Sequence, residues 1–234
     1  MADGEHIGEV HGLTHGDVPI PAKPLPRYLR TRQAGWRATD YAENESWYRS
    51  LAKQGQRPRA MLVCCCDSRV DIGNMFGAEP GDLFVVRNVA NLVPPHAPDG
   101  QHHGTSAAVE YAVKALGVAH IVVTGHSDCG GVKACHEMCM GGQDAPATAQ
   151  DDSYISRWID ILRPGFARVA NRVAATDRLR ALEYEAVLTS LRNLMTFPFV
   201  AEAVALGALT LHGTYLDIGT GMLLVYDPRT DDFA

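Results

Sequence analysis

A chain of 234 residues with 46% hydrophobic side chains can bury one substantial core, as a single domain of ordinary size would. A net charge of -6 with no basic stripe argues against a nucleic-acid partner, and the apolar runs break within about 10 residues, short of the ~20 a membrane-spanning helix needs. Among the 6 cysteines, Cys64, Cys65 and Cys66 are consecutive, so their side chains point apart and a disulfide framework is not read. With no leading hydrophobic segment, the expected compartment is reducing cytosol.

Residues 1–26 carry His6, His11 and His15, several glycines, and prolines at 19, 21, 24 and 26 without any periodicity, and read as a flexible arm. From Arg27 the pattern is helical, continuing through Asn44 to Gln54 until Gly55 and Pro58 end it. Arg59 to Cys66 is short and apolar, a buried strand. Asp82 to Arg87 reads as a second strand, Gly104 to Leu116 as a helix, Val118 to Thr124 as a third strand broken by Gly125, and Gly131 to Met140 as another helix. Gly141 to Asp152 is a polar break. Ser153 to Leu206 is mostly helical, interrupted near Pro164, between Ala175 and Asp177, and at Pro198. Leu209 to Ile218 and Met222 to Tyr226 close the chain as a hairpin about Gly219-Thr220-Gly221. Strands alternating with helices predict an α/β fold with a mostly parallel central sheet flanked by helices.

Chemistry concentrates where two of these strands end. Side chains alternate along a strand, so Cys65 faces one side of the sheet and Cys64 and Cys66 the other. Extended geometry carried past the strand end puts Asp67 on the Cys65 side, with Arg69 following. His126 leaves the end of the third strand, and Cys129 lies at a helix N-terminus, whose dipole favours a thiolate. A lone strand cysteine is usually a small buried hydrophobe. Two such groups at the carboxyl ends of neighbouring parallel strands converge instead, which makes Cys65, His126 and Cys129 a candidate zinc site with a fourth position open for catalysis. Two thiolates cancel the ion's formal charge, so it acidifies water less than an ion held by three imidazoles would. Asp67 is placed to accept a hydrogen bond from the reacting water. Arg69 is placed to hold Asp67 ionised and off the metal.

Cys65-x-Asp67-Ser68-Arg69 followed by His126-x-x-Cys129-Gly130-Gly131 resembles the β-class carbonic anhydrases, and the intervening Gly81-Asp82-Leu83-Phe84-Val85-Val86-Arg87-Asn88 is similar to that family too. The resemblance runs from about Arg27 to Asp227 and is densest from Leu62 to Ala134. It implies a zinc-dependent catalytic domain over 27–234, with Zn2+ on Cys65, His126 and Cys129 and a catalytic pair Asp67 and Arg69, Asp67 joining the metal only in a closed state. The implied reaction is reversible hydration of carbon dioxide to bicarbonate. The implied assembly is a homodimer or tetramer, with the helices of Arg27 to Gln54 and the edge of the Asp82 to Asn88 strand packing on a partner subunit.

Other readings stay open at this level. A relative hydrolysing carbon disulfide or carbonyl sulfide would use a similar site, and a non-catalytic zinc-stabilised module would close the fourth position with Asp67. A thiol redox protein would want a Cys-x-x-Cys at a helix start, which is absent. A bicarbonate-binding regulatory pocket found in some relatives uses a tryptophan and a tyrosine where this chain has Leu62 and Leu216, so that pocket is expected to be missing. Cys66 stands where the family usually has serine. Phe84, Val89 and Leu92 are candidates for a small apolar substrate pocket or for core packing. Gln101, His102 and His103 are candidates for proton transfer or for a solvated loop. Cys135 and Cys139, with His136 between them, read as a packed helix face.

Overall fold

The computed structural model describes residues 22–98, 103–141 and 153–234. Most of the arm, Gln101, His102 and most of the 141–152 break therefore lie outside the described residues. The chain divides into two compact units, 1–50 and 51–234.

In the first unit, α1 (Arg27–Trp36) runs into a π-helical turn at Arg37–Tyr41, and α2 (Glu45–Gln54) begins before the boundary and ends beyond it. Neither helix contains a buried residue. Trp36, Tyr41 and Tyr48 pack together, with the two tyrosine rings stacked at 5.2 Å.

The second unit is built on a six-stranded sheet in the order β2-β1-β3-β4-β5-β6. Its strands are β1 (Ala60–Cys65), β2 (Leu83–Asn88), β3 (His120–His126), β4 (Thr210–Leu216), β5 (Leu223–Asp227) and β6 (Asp232–Phe233). The first four strands run parallel and the last two antiparallel. The connecting helices are α3 (Ile72–Phe76), α4 (Gly104–Glu110), α5 (Gly130–Met140), α6 (Tyr154–Ile159), α7 (Arg163–Ala170), α8 (Arg178–Leu194) and α9 (Pro198–Ala205). This is the predicted α/β architecture. Because β2 lies on one side of β1 and β3 on the other, the strand order reverses between β1 and β3, and in sheets of this kind ligands gather outside the carboxyl ends of the strands at such a point.

The strand period sorts side chains as expected. Met61 and Val63 enter one core with Ile121, Val123, Val187 and Tyr215, while Leu62 and Cys64 enter another with Val70, Ile72 and Leu216. Cys65, in phase with Met61 and Val63, joins a third cluster with Ala90, Leu92, Cys129 and Leu182.

Four local features differ from the sequence expectation. Gly125 does not break β3, which continues through it to His126. A Cβ at Gly125 would lie 2.7 Å from Val187 Cγ2, so this glycine serves the close approach of α8. The second half of the 104–116 helix is π-helical from Tyr111. The first closing strand is shorter than predicted and the second is shifted by one residue, their connection spanning 217–222, and the two-residue β6 adds a further partner beside β5. Helix α3 has only five residues, too short to show a period, yet its ends are marked: Asp71 accepts from the Asn74 N–H and Gly77 takes the left-handed conformation at φ 57°.

Candidate metal centre

At the carboxyl ends of β1 and β3, one potential ligand atom from each of Cys65, His126 and Cys129 lies within 4.8 Å of the other two. Among the described residues this is the one group of three such side chains close enough to share an ion. All three are buried. The two sulfurs are 3.9 Å apart, within hydrogen-bonding reach of one another. That pairing lowers the Cys65 thiol from its ordinary value and raises Cys129, which burial raises further.

His126 supplies the test of fit. Its Nδ1 lies 2.9 Å from the Ser127 carbonyl, which fixes Nδ1 as the protonated nitrogen and leaves Nε2 with a free lone pair. Nε2 is buried without a hydrogen-bond partner, a costly arrangement unless another acid occupies the site. Two thiolates and an imidazole with its second nitrogen bound to a carbonyl suit a borderline-soft divalent cation.

Asp67 lies beside this cluster, its Oδ2 4.0 Å from His126 Nε2. Both carboxylate oxygens are held by Arg69: Nε donates to Oδ1 at 2.9 Å and the terminal nitrogen to Oδ2 at 2.7 Å, with the Arg69 backbone N–H also on Oδ1 at 2.9 Å. The Arg69 side chain first, and its backbone N–H second, keep Asp67 well below the usual carboxylate range. The same guanidinium donates to the Asp128 carbonyl at 3.0 Å, tying the first loop to the second. Sequence reasoning named five candidate residues, and the fold brings these five side chains close to one another.

It missed their supports. Arg87, within a segment whose family likeness was plain but which had no assigned role, donates to the carbonyls of Cys65, Asp67 and Val70 at 3.0, 2.8 and 2.8 Å. Glu183 on α8 accepts from the Cys129 N–H at 3.2 Å and from the Tyr215 hydroxyl at 2.6 Å. Burial pushes its carboxyl up, opposed by Tyr215, by the Cys129 and Asp128 N–H groups and by Arg180. Trp158 donates to the Val89 carbonyl at 2.8 Å and steadies a tight turn in which Ala90 and Asn91 take φ of 62° and 49°. Only the position of Arg87 in the quoted segment signalled any of these.

The remaining candidates separate cleanly. Leu92 is buried in the cluster containing Cys65 and Cys129, and Val89 packs against that cluster. Phe84 instead packs in the first core, 5.9 Å from the Tyr111 ring. His103 lines a cavity of about 660 Å³ with His96, Glu110, Phe197 and Phe199, which none of the three ligand candidates borders. Cys135 and Cys139 sit in the cluster under α5, the packed helix face expected of them. Leu62 and Leu216 are both buried in the apolar cluster with Cys64.

The family model for carbonic anhydrase matches residues 60–223, which span every residue of the centre. Beta carbonic anhydrase 3 of Arabidopsis thaliana is 35% identical over 189 residues, covering 80% of this chain and 70% of its own. Among solved structures, the β-carbonic anhydrase CcaA superposes with a TM-score of 0.78 at 30% identity, over 88% of this chain and 90% of its own. One of two tetrameric β-carbonic anhydrases from Sordaria macrospora superposes with a TM-score of 0.69 at 29% identity, over 85% of this chain and 94% of its own. With these likenesses spanning the sheet and both ligand-bearing loops, the chain belongs to the β-class carbonic anhydrases.

Proposed function

We propose that this protein catalyses the reversible hydration of carbon dioxide to bicarbonate and a proton, with Zn2+ held by Cys65, His126 and Cys129. The observation that carries the reading is the pairing of a buried, unpartnered His126 Nε2 and two cysteines with a carboxylate whose two oxygens are engaged by Arg69. When bound, the metal supplies an activated water and a positive charge for the anion that develops. Asp67 accepts a hydrogen bond from the reacting water and orients it. Arg69 keeps Asp67 ionised and engages both of its oxygens, which supports an open centre over a closed structural one. Leu92 is fully buried in the core cluster with Cys65 and Cys129, and Val89 packs against that cluster.

Stopped-flow hydration and metal analysis test this together. Purified protein should contain about one zinc per chain and hydrate carbon dioxide, and Cys65→Ala, His126→Ala and Cys129→Ala should each lose both. Stoichiometric zinc with normal hydration in any of the three would remove the assignment.

The active species proposed is a homodimer or larger. β2 is an outer strand of the sheet with Val85 exposed, and the α1 and α2 helices bury nothing while presenting Tyr28, Trp36 and Trp47. Exposed strand edges and aromatic surfaces of this kind are ordinarily covered. Sedimentation at assay concentration that finds an active monomer would overturn this. Six free cysteines, two of them needed as metal thiolates, support a reducing cytoplasmic compartment.

A further inference from the structure

We infer that Glu183 is a positioning residue for this reaction: its buried carboxylate fixes the Asp128-Cys129 turn, and so sets a metal-binding thiolate and the carbonyl that docks Arg69 in one step. The inference rests on the metal reading above and deepens it.

Helix α5 starts at Gly130 with Cys129 in the capping position, and no side chain of that segment caps it. The Cys129 sulfur lies 3.9 Å from that of Cys65. Its N–H, in a residue only 1% exposed, would be an unpaired buried donor. Glu183 Oε1 accepts that N–H from a helix 54 residues further along the chain. A carboxylate is well matched to a helix N-terminus, where the exposed N–H groups and the dipole favour negative charge.

The turn needs this support. Asp128 adopts φ 56°, a left-handed conformation that aspartate takes more readily than most side-chain-bearing residues and that contacts on both sides hold here. On one side, the Ser127 N–H donates to the Leu216 carbonyl and Ser127 Oγ accepts from the Ile218 N–H, both at 2.9 Å. On the other side, Glu183 holds Cys129. Between them the Asp128 carbonyl points to Arg69, which donates to it at 3.0 Å while holding both oxygens of Asp67. A chain of contacts therefore runs from Glu183 through the turn to Arg69 and Asp67.

Glu183 is itself built in. It is 2% exposed, and Oε2 accepts from the fully buried Tyr215 hydroxyl at 2.6 Å. Arg180 lies 3.4 Å from the same oxygen and 3.5 Å from Asp217, so a cation offsets the buried charge. Gly125 admits α8 to this distance, since an alanine there would meet Val187 at 2.7 Å and the Glu183 carbonyl at 3.5 Å.

The test compares Glu183→Ala, Glu183→Gln and Tyr215→Phe with wild type. The readouts are zinc affinity by chelator competition, the absorption spectrum of the cobalt-loaded protein, and kcat per bound zinc. Groups that orient metal ligands typically contribute 10–100-fold in affinity or activity. Glu183→Ala should therefore lose at least about tenfold in both and shift the cobalt spectrum. Glu183→Gln, which retains an acceptor for the Cys129 N–H, should stay within about threefold of wild type and keep its spectrum. A lower melting temperature with affinity, spectrum and kcat per zinc unchanged in Glu183→Ala would make the residue merely structural and overturn the inference. If that variant does not fold, Tyr215→Phe decides: a weaker zinc affinity with the same spectral displacement supports the inference, and a wild-type affinity and spectrum refute it. Wild-type protein that fails to hydrate carbon dioxide would refute the function itself, a separate outcome.

Discussion

Gly131→Ala is the sharpest test of how the fold holds the two cysteines together. A Cβ at this position would lie 2.4 Å from Val89 Cγ1, 3.1 Å from Ala90 Cβ and 3.4 Å from the Ala90 nitrogen. Val89 can turn its side chain aside, but Ala90 cannot: its Cβ is fixed to a backbone held at φ 62°. The start of α5 must then move by a few tenths of an ångström away from the 89–91 turn. Overpacking of this kind costs about 1–3 kcal/mol. For a chain of this size each kcal/mol lowers Tm by about 2–4 °C, so the expected fall is about 2–12 °C. The displaced helix carries Cys129 with it, separating a sulfur pair now 3.9 Å apart, so chelator competition should also show weaker zinc binding. The neighbouring Gly130→Ala is the control. Nothing lies within 4 Å of its Cβ position and its φ is ordinary, so it should stabilise by about 0.4–1 kcal/mol through the unfolded chain. Calorimetry of the two variants should give shifts of opposite sign. An unchanged Tm in Gly131→Ala, or equal shifts in both, would refute the packing argument.

Arg69→Ala should retain zinc while hydration falls by at least about tenfold, because Asp67 is released toward the metal; full activity would eliminate the pair's role, and cooperative inhibition of wild type by bicarbonate would contradict the reading of Leu62 and Leu216. Arg87→Ala removes donors to three backbone carbonyls and should cost about 1–3 kcal/mol in urea unfolding, with kcat reduced as the Asp67 loop loosens; a variant matching wild type in both measurements would deny Arg87 that role. His120 Nδ1 and His212 Nε2 meet at 3.1 Å across β3 and β4, and burial first, then His120, hold His212 below its ordinary value. Folding thus favours neutral His212, a contribution complete above about pH 6.5 and lost as pH falls through the lower folded value. Unfolding free energies of His212→Gln should therefore decline less steeply than wild type on acidification below about pH 6.5, and parallel profiles would count against the pair.

The chemistry of the centre was legible because it is local. Cys65, Asp67 and Arg69 occupy one short strand end, and His126 and Cys129 another. A strand alternates its side chains with a period of two, so residue spacing alone put Cys65 on the opposite face from Cys64 and on the same side as Asp67. The general habit of ligands to gather outside the carboxyl ends of parallel strands then joined the two segments. Short motifs with no period escaped: α3 is shorter than two helical turns, and Gly125 looked like a strand break.

By itself, then, the sequence determined the alternating strands and helices, the two reactive segments and the family. Only the tertiary structure decided which distant groups hold those segments in place. Arg87 reaches back 22 residues to the Cys65 carbonyl, and Glu183 reaches back 54 to the Cys129 N–H. No local pattern encodes such pairs, because an arginine on an exposed strand edge or a glutamate in a helix is equally at home in water. Their roles arise from strand pairing and from the close packing of α8 over Gly125, which puts a carboxylate where a buried helix end lacks a cap.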